Sequence, residues 1–310
     1  MQAVGAAASG RRSFMRPRVK PSPRKRMCVR RSVAITIVLL ACASVAGAWG
    51  REAHEMITAA AIGALPRPLR GYFRFHQFYL VEHASDPDIL AGNNRAEQLH
   101  HFADVDAYDK YPFRAFERQF VVEDKPPTPV EIKNGDAMWQ IEIFTTRLAA
   151  DFRARRWADV NRDAVFAAHY AADLTQPLHT VKNYDGRLTG QTGIHQRFET
   201  GVVRLDADRW QLRVTPVALI PDLRARIFAE FLRSYQASAS VFTADRKARI
   251  QQRPGDPRFL AAFADQAAPV AKAQVEDAAN FVGSLWYTAW VKAGKPDLSA
   301  WKAAAQSGGF

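Results

Sequence analysis

The sequence predicts an all-α protein built as a single multi-helix domain with long loops. Several long segments place apolar residues at helical spacing, whereas alternating runs of β-branched residues, typical of strands, are nearly absent. Two stretches, 84–130 and 180–220, are rich in Pro, Gly, Asn and Asp and are predicted to be long loops that contribute to function. No repeat or Gly/Ser linker divides the chain, so we expect one domain over residues 49–310.

The predicted helices follow one another with recognisable boundaries. The first ends at Pro66, and the fourth opens at Pro221 and Asp222, residues that favour a helix start. The last carries an apolar stripe from Val275 to Ala289, which is typical of a helix that faces a core. These helices cover residues 53–65, 132–152, 157–174, 221–238 and 265–293.

Residues 1–48 have the composition of a secretory signal peptide. They contain ten Arg or Lys residues, no acidic residue, a 14-residue apolar run over 33–46, and the sequence AGA before Trp49. An internal start at Met27 would still leave a complete signal peptide. Because the apolar run is shorter than the ~20 residues of a membrane-spanning helix, we expect no stable membrane span after processing.

Removal of this segment changes what the composition implies. Ten of the 43 basic residues lie in it, which leaves 33 against 31 acidic residues and no strongly basic surface for nucleic acid. Cys28 and Cys42 are removed with it, so we expect neither a disulfide nor a thiolate ligand in the mature protein. The sequence therefore predicts an exported monomer, periplasmic or secreted, and a lipoprotein anchored through Cys42 is the second interpretation.

Histidines and carboxylates recur in a regular pattern. His169 and Asp173 in "HYAAD" and His195 and Glu199 in "HQRFE" are spaced four apart, so each pair shares one helix face. A single pair of this kind is most often a structural hydrogen bond. Several pairs in a chain without thiolate ligands favour a metal site, and imidazole with carboxylate suits Zn²⁺.

At this point the chain resembles a known family, the zinc-dependent phospholipase C superfamily, which also contains the three-zinc single-strand nucleases. The resemblance covers residues 49–199 in the family's order, whereas residues 200–310 match only in being helical. The matching elements are Trp49, His54, Asp86, His101, "HYAAD" (169–173), "PLH" (177–179) and "HQRFE" (195–199).

The resemblance implies a helical domain with three zinc ions that hydrolyses a phosphodiester through a metal-bridged hydroxide. Asp173 would bridge two of the metals, and Asp86 would orient the attacking water or act as the base, so both are expected to be catalytic. The implied ligand sets are Asp86, His101, His169 and Asp173 for one zinc, the backbone of Trp49 with His54 and Asp173 for the second, and His179, His195 and Glu199 for the third.

The superfamily divides between phospholipid and single-stranded nucleic acid substrates. Phe102 and Asp104 in "HFAD" match the nuclease residues that hold a base, although packing in the core explains Phe102 equally well. Glu199 ends "HQRFE" as in the phospholipases, and Glu52 could help hold choline. We expect phospholipase C-like hydrolysis. The alternatives are a single-strand nuclease and a non-catalytic, exported zinc-binding helical protein. His76 and His83 lack a carboxylate partner pattern and are expected to be surface histidines that play no part in the site.

Overall fold

The computed structural model describes residues 49–299 and residue 301. The predicted signal peptide, the alternative start at Met27 and both cysteines, Cys28 and Cys42, lie outside the described residues.

The prediction of an all-α fold is confirmed, because the described residues form helices and no strand. Short 3₁₀ and π turns join the α-helices, and three of these turns recur below: the 3₁₀ turns Leu99–His101 and Pro177–Thr180 and the π turn Arg197–Val202. The α-helices are α1 (Arg51–Ala64), α2 (Arg67–Phe75), α3 (Gln77–Glu82), α4 (Asp86–Ala91), α5 (Arg95–Gln98), α6 (Arg114–Glu117), α7 (Pro129–Lys133), α8 (Ala137–Ala154), α9 (Trp157–Thr175), α10 (Ile194–Gln196), α11 (Val203–Asp206), α12 (Leu223–Gln251) and α13 (Phe259–Lys292).

The structure differs from the sequence prediction mainly in the length and number of the helices. Residues 84–130, predicted as loop, contain α4, α5 and α6, which have four to six residues each and are too short to show a helical period. The predicted helix 132–152 begins only at Ala137, because Gly135 at φ 88° separates α7 from α8. Asp222 caps α12 by accepting the amide of Ala225, as its position predicts.

Helix α13 lies at the centre of the core, packed against α1, α8, α9 and α12. The Trp286 ring stacks on Phe73 of α2 at 4.6 Å between centroids, and its indole N–H donates to the Ala164 carbonyl of α9 at 2.9 Å. Nineteen residues of α13 are buried, which is the pattern of a helix covered on most sides. None of the described helices combines the length and apolarity needed to cross a bilayer.

An extended segment, residues 213–220, runs along α13, and we call it the strap. Its backbone N–H groups donate to side chains spaced four residues apart on α13, which therefore form one polar row on a largely apolar helix. The bonds run from Arg213 to Glu276 (2.7 Å), from Thr215 to Asn280 (2.7 Å), from Ala218 to Ser284 (3.4 Å) and from Ile220 to Thr288 (2.9 Å). This row orders a segment that has no regular secondary structure.

We expect Asn280→Ala to lower the free energy of unfolding by about 1–2 kcal/mol, because the amide oxygen of Asn280 accepts both the N–H and the hydroxyl of Thr215. Urea denaturation measures the change. Asp265→Ala on the exposed side of the same helix is the control, with an expected change within about 0.5 kcal/mol. Equal losses for both variants would contradict the role assigned to the polar row.

Candidate metal centre

Asp173 is the centre of the first cluster of histidines and carboxylates. Its carboxylate is fully buried on α9. Oδ1 lies 3.2 Å from Nε2 of His54, and Oδ2 lies 2.9 Å from Nδ1 of His101 and 3.3 Å from Nε2 of His169. These histidines come from α1, the 3₁₀ turn before Phe102, and α9. Three imidazoles from separate elements therefore converge on one carboxylate, and the resemblance groups the same three histidines with Asp173.

The fourth member of this cluster is Asp88, which corrects the prediction of Asp86. Oδ1 of Asp88 lies 3.6 Å from Nδ1 of His101 and 3.6 Å from Nε2 of His169. Asp86 instead contacts Nδ1 of His83 at 2.7 Å, and its side chain is 38% exposed. Both aspartates belong to α4, and residues two apart on a helix point in nearly opposite directions, so only one of them can face the cluster.

The second cluster consists of His179, His195 and Glu199, as predicted. Nε2 of His195 lies 2.9 Å from Nε2 of His179 and 3.1 Å from Oε2 of Glu199, and all three residues are buried. His179 comes from the 3₁₀ turn after α9, His195 from α10, and Glu199 from the π turn that follows α10. Two imidazole nitrogens and one carboxylate oxygen thus point at a common centre.

Backbone carbonyls set the tautomers of two of these histidines. Nδ1 of His169 donates to the Ala84 carbonyl, and Nδ1 of His179 donates to the His101 carbonyl, both at 2.8 Å. A carbonyl can only accept, so each of these nitrogens carries the proton. When either ring is in its neutral form, Nε2 therefore presents its lone pair to the cluster, which is the arrangement that a metal ligand requires.

Electrostatics in the first cluster favour the presence of positive charge. Burial alone would raise the pKa of the Asp173 carboxyl, but His169, His101 and His54 hold it well below its ordinary value. Burial lowers the pKa of His169, yet Asp173 and Asp88 outweigh it and raise that pKa well above its ordinary value. The two carboxylates therefore stabilise positive charge on the buried His169, and a divalent metal ion would be stabilised in the same way.

Burial favours the uncharged forms of two residues of the second cluster, His195 and Glu199. Burial raises the pKa of the Glu199 carboxyl to about 8 and lowers the pKa of the His195 imidazole to about 4. At neutral pH the carboxyl keeps its proton unless a cation replaces it. Because metal ligands bind in their deprotonated forms, binding of a metal here would be coupled to the release of a proton.

The donor atoms of the two clusters have the chemistry of metal ligands. Within each of three ligand sets the atoms lie no more than 4.8 Å apart. Several of these atoms are buried without a hydrogen-bond partner among the described residues, including Oδ1 of Asp88, Oδ1 of Asp173 and Oε2 of Glu199. The sets are His54, His169 and Asp173; Asp88, His101 and His169; and His179, His195 and Glu199. These clusters could hold metal ions, and their imidazole and carboxylate ligands suit zinc.

Trp49, predicted to contribute its backbone to a zinc, lies between the elements that carry the two clusters. Its fully buried indole ring is 5.6 Å from the Phe198 ring, beside Glu199. Its Nε1 donates to the hydroxyl of Thr175 at 3.5 Å, two residues after Asp173. This position agrees with a role near the metals, while the ligand role of the backbone amine stays a prediction.

A cavity of about 330 Å³ adjoins both clusters. Its wall includes His101 of the first cluster, His179 and His195 of the second, and the two residues predicted to hold substrate, Phe102 and Asp104. The remaining lining residues are Gln98, Lys133, Leu178 and Tyr184. The sequence did not mark these four as site residues, because they come from separate elements: α5, α7, the 3₁₀ turn Pro177–Thr180 and the loop after it.

Phe102 and Asp104 are held in the cavity wall by the turn between α7 and α8. The amide of Asp104 donates to the Asn134 carbonyl at 2.7 Å, and a Cβ at Gly135 would lie only 2.1 Å from the Phe102 carbonyl oxygen. Oδ1 of Asp104 is buried without a hydrogen-bond partner among the described residues, and burial raises the pKa of this carboxyl to about 8. Phe102 is partly exposed and lines the cavity, so core packing does not account for it alone.

Two further residues considered in the sequence lie elsewhere. The carboxylate of Glu52 accepts Nε of Arg204 at 3.1 Å on the protein surface, and Glu52 does not line the cavity. Glu52 is thus paired with Arg204 outside the cavity, and this placement does not support a role in holding choline. His76 is bonded to the side-chain amide of Asn161 at 3.1 Å and belongs to neither cluster, but it is buried, so the expectation that it lies on the surface is wrong.

No protein-family model matches this chain, and a search of curated proteins yields no significant match. The resemblance to the phospholipase C superfamily therefore stays a prediction. The geometry of the two clusters and of the cavity between them provides the independent argument for function.

We expect Asp88→Asn to reduce the number of tightly bound divalent ions, because it removes the charge of a cluster carboxylate, whereas Asp86→Asn should leave that number unchanged. Elemental analysis of the two variants and the wild type after dialysis measures the difference. Loss of metal from Asp86→Asn alone would restore the original assignment.

Proposed function

We propose that this chain is a zinc-dependent phosphodiester hydrolase that uses three zinc ions, with a phospholipase C-like or a single-strand nuclease substrate. The observation that carries the proposal is that two buried clusters of metal ligands adjoin the same cavity. A purely structural metal site is saturated by protein ligands and closed, so a cavity against both clusters favours catalysis over the non-catalytic alternative.

Two hydrogen bonds join the segments that carry the two clusters. The imidazole of His179 donates to the His101 carbonyl, and the Ala103 amide donates to the His179 carbonyl, both at 2.8 Å. One residue of each cluster is therefore bonded directly to the segment that carries the other. Such rigidity suits a site that must hold a phosphodiester between several cations, because misplacement by about 1 Å can cost about a hundredfold in rate.

The two aspartates of the first cluster, Asp173 and Asp88, would have different roles. When bound, zinc ions neutralise the anionic phosphodiester and lower the pKa of water towards ~7. Asp173 belongs to the first cluster through both of its oxygens and is the residue that would join two metals. Asp88, in place of Asp86, is the carboxylate positioned to orient water at this cluster.

The cavity wall supports a nuclease more than the sequence did. Lys133 lines the cavity and favours an anionic substrate over the choline cation. A carboxyl with a pKa of about 8, as Asp104 has, is mostly protonated at neutral pH and can donate a hydrogen bond to a base. The phospholipase C-like alternative is supported by the rings of Phe102 and Tyr184, which could receive a quaternary ammonium group.

We expect the protein to hydrolyse a small chromogenic phosphodiester, to lose this activity with a chelator, and to regain it with zinc. Asp173→Asn should lower the rate by at least about a hundredfold, since it removes the charge shared by the first cluster. His83→Ala, which alters a histidine outside both clusters, is the control and should retain the rate to within a fewfold. Chelator-resistant hydrolysis, or equal losses in both variants, would contradict the proposal.

The substrate class is decided by Phe102→Ala. In a nuclease this change removes a stacking surface worth ~1–3 kcal/mol, so we expect a loss of roughly one to two decades on single-stranded DNA. The small chromogenic ester should be cleaved as before, because the metal ligands are unchanged. A panel with phosphatidylcholine and a phosphocholine ester completes the measurement. Faster hydrolysis of the choline esters than of DNA, with no selective effect of Phe102→Ala on DNA, would favour the phospholipase.

A further inference from the structure

A buried carboxylate outside both clusters is connected to the second of them. Asp245 lies on α12 with no exposed side-chain surface. Its Oδ1 accepts from Arg197 at 2.8 Å, and its Oδ2 accepts from Gln191 at 3.0 Å and from Arg249 at 2.5 Å. Arg249 is on the same helix, but Arg197 and Gln191 belong to the segment that carries His195 and Glu199. Asp245 therefore joins α12 to that segment.

Arg197 lies between the two ligands of the "HQRFE" sequence. His195 and Glu199 share one face of the turn, so Arg197, two residues from each, points away from the cluster towards α12. Its guanidinium also donates to the carbonyls of Thr192 at 3.0 Å and Gln191 at 3.2 Å. The same group therefore holds the turn with the ligands and the loop before it against α12.

Gln191 holds the loop itself. Its side-chain amide donates to the Phe242 carbonyl at 2.9 Å as well as to Asp245, so it contacts two successive turns of α12. Its backbone amide donates to the Gly186 carbonyl at 2.8 Å, and a Cβ at Gly186 would lie 2.7 Å from the Gln191 carbonyl oxygen. The loop that leads to His195 is consequently closed on itself and attached to α12 at the Phe242 carbonyl and the Asp245 carboxylate.

We propose that Asp245 is a positioning residue for the His179–His195–Glu199 cluster, which sets the affinity of this cluster for its metal without touching the metal. The inference rests on the proposed metal binding. The first cluster has no such connection: its residues come from α1, α4, α9 and the 3₁₀ turn Leu99–His101, and the described contacts of Asp245 do not include these elements. Loss of the Asp245 charge should therefore weaken one metal and leave the others.

The same helix offers a matched control. Glu230 is also a buried carboxylate of α12, and it is paired with two arginines, Arg226 and Arg233. These arginines belong to α12 itself, so Glu230 does not join the helix to a ligand segment. Glu230→Gln also removes a buried carboxylate from α12. It therefore shows how far a change in the stability of this helix by itself alters the metal affinities.

The experiment compares metal affinities of the full mature chain by competition with a chromogenic zinc chelator. For Asp245→Asn we expect one zinc site to weaken by about 10–100-fold while the other sites keep their affinity. For Glu230→Gln we expect unchanged zinc affinities, even where the thermal midpoint falls. Arg197→Lys, which keeps the positive charge but loses the forked geometry, should weaken the same zinc site by a smaller factor, and it serves where Asp245→Asn folds poorly.

Double variants identify the site affected. Glu199→Gln removes a ligand of the second cluster, so adding Asp245→Asn to it should change the zinc affinities little, whereas adding Asp245→Asn to Asp88→Asn should weaken two sites. Equal weakening of all sites by Asp245→Asn, unchanged affinities, or the same effect in Glu230→Gln would overturn the inference and leave the proposed function intact. A wild-type chain that binds no zinc would overturn the proposed function and this inference with it.

Discussion

The rest of the site depends on the burial of the Asp173 carboxylate among three imidazoles. An ionised carboxylate in a protein interior is stable only where positive charge or hydrogen-bond donors surround it. Here His54, His101 and His169 approach both of its oxygens within 3.3 Å. His54 belongs to α1, His101 to the 3₁₀ turn Leu99–His101, and His169 to the turn of α9 before Asp173. Because the Asp173 carboxylate contacts all three, its burial links the positions of these elements.

The fold supplies a rigid frame for this arrangement. Helix α9 carries His169 and Asp173 and packs between α8 and α13, where the indole of Trp286 donates to a carbonyl of α9. The cluster residues in short turns are held by hydrogen bonds to backbone carbonyls instead. One example is the bond from the His179 imidazole to the His101 carbonyl. Regular helices therefore position some ligands through packing, and the turns position others through hydrogen bonds. These hydrogen bonds cannot be predicted from the helical spacing of residues in the sequence.

The two clusters have different electrostatic character, which bears on how each would bind a cation. The first carries two carboxylates and holds positive charge, whereas burial leaves His195 and Glu199 of the second neutral at pH 7. Binding of a metal at the second cluster would be coupled to the release of a proton, and the contact of Arg197 with Asp245 holds the turn that carries Glu199 against α12. Charge would therefore favour a cation at the first cluster, whereas at the second a metal would have to displace a proton.

The sequence by itself determined the helical class and the pairs of site residues whose spacing places them on one face of a helix. His169 with Asp173, and His195 with Glu199, are four apart, and helix geometry alone brings such residues together. Tertiary structure decided the rest. In "DPD" the resemblance favoured Asp86 as the ligand, but the orientation of α4 turns Asp88 towards the cluster and Asp86 towards His83. Lys133 and Asp245 carry no local signal either, since they reach the site through contacts between segments distant in the chain, and sequence spacing records only the contacts that lie within one helix.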